Sequence, residues 1–100
     1  MNPEEGRPDP DIADLVPGFL ENRRRDVVFL RASAQRRDFP SARRIGHRMK
    51  GMGAAYGFPA IGRIGAALEQ AARERDAGGV LRETDQLHAF LERMEAGHAS

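Results

Sequence analysis

The sequence predicts an all-α protein, an up-and-down antiparallel four-helix bundle behind a short, flexible N-terminal segment. Three observations predict it. Apolar residues recur at steps of three and four in four separate segments, no alternating strand pattern competes with them, and the connections are short enough to force successive helices to lie antiparallel.

The opening MNPEEGRPDPDI, residues 1–12, is polar and proline-rich and is expected to be flexible; the bundle is expected over 13–96 and a frayed tail over 97–100. The first helical segment opens near Pro17, a residue suited to a first helical turn. It carries Phe19, Leu20, Val27, Leu30 and Ala34 toward one side before Asp38 and Pro40 interrupt it. The second runs from about Pro40 to Tyr56, with Ala42, Ile45, Met49, Met52 and Tyr56 at spacings of 3, 4, 3 and 4. The third starts at Pro59 and repeats the rule with Ile61, Ile64, Leu68 and Ala71; the fourth follows a break at Gly78 and Gly79 and presents Val80, Thr84, Leu87, Leu91 and Met94. Glycine and alanine at Gly62, Gly65, Ala66 and Ala67 let some helix backbones approach closely.

Composition narrows the function. One hundred residues with 40% hydrophobic and 31% charged side chains describe one small soluble domain rather than a disordered or membrane chain. The formal net charge of +1 is too even to argue for nucleic acid. Without cysteine there is no thiolate metal site and no cysteine nucleophile, which fits a reducing, cytoplasmic setting. No targeting or membrane-spanning segment is visible, and the three histidines lack metal-ligand spacing, so no metal or other cofactor is expected. No phosphate-binding loop of the G-x-x-x-x-G-K-[ST] kind is present, so the chain is not expected to be a kinase or other enzyme by itself.

The stretch GHRMKGMGAAYGF, Gly46 to Phe58, carries the chemistry. At about 100° per residue, His47 lies nearly opposite the Ile45, Met49, Met52 stripe and faces water. Arg43 and Arg44 stand one turn before it, Lys50 and Gly51 one turn after, and Ala54 two turns after. Gly46, Gly51 and Gly53 each cost roughly 1 kcal/mol relative to alanine inside a helix, so some requirement other than helix stability must offset them. Gly51 leaves room beside the imidazole for a broad partner surface. Lys50 is the single lysine among sixteen basic residues, a compact ammonium that can follow a phosphoryl group without imposing the bidentate geometry of a guanidinium. A neutral imidazole has a lone pair at physiological pH, so an exposed histidine attacks phosphorus without a separate base, and the phosphoramidate formed keeps a high transfer potential.

His47, Lys50 and Gly51, the small residues Gly53 to Ala55, then Tyr56 and Gly57 resemble the H-x-x-K-G signature and downstream glycine of histidine-containing phosphotransfer (HPt) domains. Met49 stands where leucine is usual and Met52 where a small residue is common; both fall on the expected buried stripe. The resemblance implies a stand-alone, monomeric phosphorelay intermediate, with His47 as phosphoacceptor and Lys50 as charge partner. Gly51, Arg43, Arg44 and Ala54 would form the docking patch. The implied partners are receiver domains of hybrid sensor kinases and response regulators, which would bring the magnesium used in transfer; neither nucleic acid nor membrane is implied. The alternative reading is a non-catalytic helical module that binds a regulator, against which stands the intact trio of His47, Lys50 and Gly51. His88, His98 and the run Arg23 to Arg25 are read as incidental, the arginines as solvated.

Overall fold

The computed structural model describes residues 10–99, with side chains from 14 to 96. Four helices, α1 (Pro10–Arg36), α2 (Phe39–Ala55), α3 (Pro59–Arg73) and α4 (Ala77–Ala99), pack antiparallel in an up-and-down bundle, and α4 returns against α1 to close the ring. Residues 1–9 of the expected flexible head lie outside the described residues. The chain is already helical at Pro10, earlier than the sequence suggests. Pro17 therefore falls inside α1 and forfeits one backbone bond.

The three connections between helices share one construction. In each, a residue just past the helix adopts a left-handed backbone: Arg37 at φ 58°, Gly57 at φ 82° and Arg75 at φ 56°. The following amide then reaches back five residues, from Asp38 to the Ser33 carbonyl at 2.8 Å, Phe58 to Gly53 at 2.8 Å and Asp76 to Ala71 at 2.9 Å. These are Schellman closures, which satisfy helix-end carbonyls while turning the chain. Glycine is the usual residue there. Arg37 and Arg75 occupy two of the three positions, and both guanidinium groups lie over the Phe39 ring, 5.2 and 5.0 Å from its centroid, a cation–π contact that offsets part of the strain.

The break before α4 is thus Glu74–Asp76 rather than Gly78 and Gly79, which lie in the first helical turn. Asp76 caps that turn by accepting from the Gly79 amide at 2.9 Å. Asp38 does the same for α2, accepting from the Ser41 amide at 3.2 Å and its hydroxyl at 2.7 Å, and those bonds hold the Asp38 carboxyl below its ordinary range.

The four apolar stripes meet as expected: Leu30, Met49, Ile61, Leu68, Val80, Leu87 and Leu91 are all sealed from solvent, while Met52 and Tyr56 are half-buried at the edge. Arg23 corrects the reading of its arginine run as solvated. It sits on the Phe19, Val27, Leu30 stripe and is buried, its guanidinium 4.8 Å over the Phe19 ring and its Nε 2.9 Å from Asp26 Oδ2. The aromatic platform and the adjacent carboxylate make burial of that charge tolerable. Arg24 is half-exposed and tied to Glu95 of α4 at 2.9 Å; Arg25 is exposed.

The closest pair in the bundle is α2 against α3. A Cβ on Gly46 would lie 2.8 Å from the Gly65 carbonyl oxygen and 2.7 Å from the Glu69 amide nitrogen; one on Gly53 would lie 2.7 Å from Gly62 Cα. Two of the three helical glycines of α2 therefore serve helix packing. Gly51 does not, since a Cβ there would meet nothing within 4 Å.

Candidate functional site

This close α2–α3 approach brings a residue of α3 under the exposed face of α2. The His47 side chain is 65% exposed, and its Nδ1 lies 3.1 Å from Glu69 Oε2. Glu69 itself is buried and its second oxygen, Oε1, lies 3.1 Å from Lys50 Nζ. Arg73, one turn on in α3, donates to Oε2 at 3.1 Å. One carboxylate thus gathers an imidazole, an ammonium and a guanidinium, with the acid below the surface and its partners at it.

The electrostatics decide the tautomer. The Lys50 ammonium, and after it the His47 hydrogen bond, hold the Glu69 carboxyl below its ordinary value despite the opposing effect of desolvation. Glu69 is therefore ionised at neutral pH and its oxygens only accept, so a neutral His47 donates from Nδ1 and leaves the lone pair on Nε2.

Because the folded-state pKa of Glu69 is depressed, its charge contributes stability above the ordinary glutamate value of 4.5, and that contribution is lost as pH falls through the depressed value. Urea titrations of wild type and Glu69→Gln should accordingly show a stability gap that persists above about pH 4.5 and closes on further acidification. A gap that ignored pH would mean that the charge of Glu69 contributes nothing.

Of the residues singled out from the sequence, Arg43, Arg44, Gly51 and Ala54 are exposed on the same helix as His47 and Lys50. Arg43 and Arg44 line a trough of about 450 Å³ that also includes His47, Arg48, Glu69 and Arg73. Lys50 is exposed on the same helix, and its ammonium is held by Glu69. Glu69 and Arg73 were missed. Glu69 interrupts the small-residue series Gly62, Gly65, Ala72 at helical spacing, and a carboxylate on such a buried seam needs cations from the facing helix. His88 is exposed, 3.9 Å from Glu92, and the side chain of His98 lies outside the described residues. Among the described residues no group of three His, Asp or Glu side chains could hold a metal ion, and no helix is long and apolar enough to cross a membrane.

The profile of the family described as Hpt domain matches residues 14–97. No curated protein and no solved structure matches the chain.

Proposed function

The chain belongs to the Hpt domain family, whose members perform histidine phosphotransfer with receiver domains in phosphorelays, and from that premise we propose that His47 is its phosphoacceptor. The observation that carries the reading is the Glu69 contact, which leaves Nε2 of an exposed imidazole as the nucleophile.

In the forward step the Nε2 lone pair attacks the phosphorus of a receiver's aspartyl phosphate. The Nε2–P bond forms, the P–O bond to the aspartyl carboxylate breaks, and that carboxylate leaves with the bonding pair. The Nδ1 proton stays in place, so the phosphorylated ring gains positive charge, which the Glu69 carboxylate opposite Nδ1 stabilises. Attack on phosphorus by a second receiver's aspartate breaks the Nε2–P bond and restores the starting tautomer. Nucleotide and metal chemistry belong to the partners, and the carriage is cytoplasmic.

Lys50 neutralises Glu69 at rest and, on a flexible stem, swings toward the phosphoryl oxygens as they arrive; Arg73 keeps the carboxylate paired meanwhile. Arg43 and Arg44 meet the docking receiver on one side of the imidazole, and Gly51 and Ala54 leave space for it on the other. Lys50→Ala should slow single-turnover transfer by about tenfold, the effect of one partly screened charge contact worth about 1 kcal/mol. Lys50→Arg should recover part of the loss. Equal rates for the three proteins would remove Lys50 from the site.

The function itself is tested by incubating the protein with phosphorylated receiver domains and assaying the phosphate it acquires. Phosphate that is acid-labile and base-stable supports the carrier; receiver binding without label would favour a non-catalytic interaction module.

A further inference from the structure

The trough beside His47 does not end at α2. A second concavity of about 270 Å³ adjoins it on the α1 side, lined by Phe29, Ser33 and Arg36 of α1 with Ser41, Ile45, Arg44 and Arg48 of α2. Arg44 and Arg48 line both. The result is one track from Arg73, past His47, to Phe29, with Arg36, Arg43, Arg44 and Arg48 along it. In a chain of formal net charge +1 this is a marked local excess of cations.

The acids near the track are already engaged. Glu69 is held by His47, Lys50 and Arg73. Asp38 accepts from Ser41, with Arg36 and Arg44 nearby. Asp26, close to Arg48, is paired with Arg23, and burial raises its pKa. Arg43, Arg44 and Arg48 have no ion pair among the described residues; Arg44 donates to the Ser41 hydroxyl at 3.2 Å. At the α1 end Phe29 is 59% exposed, an apolar step beside the cations.

We infer that this α1-side track is the selectivity surface for the receiver, and that it takes a receiver face whose carboxylates meet Arg36, Arg44 and Arg48 and whose apolar side chain covers Phe29. The inference rests on the phosphotransfer reading and adds the chemistry of the partner. Charge complementarity carries it: unpaired guanidinium groups around an apolar step match acidic groups around an apolar one. The near-neutral whole chain offers little extended field to a nucleic acid or an anionic membrane, so the preference is local.

The experiment uses the full chain and each receiver domain of the source organism, purified and phosphorylated singly. Wild type, Arg44→Ser/Arg48→Ser, Phe29→Ser and a control pair on the α3–α4 face, Arg63→Ser/Arg93→Ser, are compared in transfer and in receiver binding across a salt series. A further pair, Arg36→Ser/Arg43→Ser, spares Arg48 beside Asp26 should the first pair disturb the fold. Relative to wild type, the track pairs should lose roughly ten- to a hundredfold in second-order transfer rate at low salt, and the difference should vanish near molar salt. Phe29→Ser should lose affinity at every salt concentration, and the control pair should match wild type. Label uptake with track variants equal to wild type, or with the control pair equally impaired, overturns the inference and leaves the phosphotransfer reading standing. Track-dependent receiver binding without label overturns that reading and sustains the surface. Neither label nor receiver binding overturns both. Tighter track-dependent binding to a DNA duplex or to phosphatidylglycerol vesicles than to any receiver also overturns the inference.

Discussion

His47→Gln is expected to reduce phosphoryl uptake from a phosphorylated receiver to background while leaving the helical signal and the cooperative melt in place. The side chain is 65% exposed and lies outside the core, so its replacement removes no apolar packing. It does remove the only side-chain atom of the cluster with a free lone pair suited to attack phosphorus, since Lys50 and Arg73 are protonated donors and Glu69 is buried. Glutamine can still donate an amide proton to Glu69, which keeps the buried carboxylate hydrogen-bonded. Uptake that survived in this variant would assign the phosphoryl group elsewhere, and loss of the melt would show that the imidazole has a structural role.

Gly65→Ala is expected to cause a large loss of stability through the α2–α3 seam. Its Cβ would meet the Lys50 amide nitrogen, the Gly46 carbonyl oxygen at 2.8 Å and the Met49 carbonyl carbon at 2.9 Å, all backbone atoms that cannot rotate aside. Helix propensity gains about 1 kcal/mol from the change, whereas forcing two backbones apart costs more, for a net loss of about 2 kcal/mol. In a domain of this size that lowers the melting temperature by roughly 10–15 °C. Transfer should fall as well, because Glu69 moves with α3. Gly51→Ala is the control, with nothing within 4 Å of the new methyl, and should melt no lower than wild type. A Gly65→Ala protein as stable as wild type would contradict the close approach that positions the site.

The bundle was legible because its core depends on periodicity, and Leu30, Met49, Leu68 and Leu87 fall where steps of three and four put them. The start of α1 was not, since Pro17 suits a first helical turn yet sits inside a helix already formed at Pro10. Gly78 and Gly79 read as a break because glycine usually ends helices, whereas here the left-handed residue is Arg75, supported by a ring contact distant in sequence. Arg23 was misjudged for a similar reason: its burial depends on Phe19 and Asp26 acting together. At the site, the outward direction of His47 follows from α2 alone. Its link to Glu69 spans 22 residues and exists because Gly46, Gly53 and Gly65 let α2 and α3 touch, which no single-helix argument contains.

On the proposed reading His47 carries the phosphoryl group on Nε2 with its Nδ1 proton held by Glu69. Long-range proton–nitrogen correlation spectra of histidine-labelled protein, before and after phosphorylation by a receiver, test it directly. A free His47 protonated on Nδ1 is expected and, after transfer, phosphorus coupling at Nε2 of that same ring. Phosphorus on Nδ1, or on His88 or His98, would contradict it.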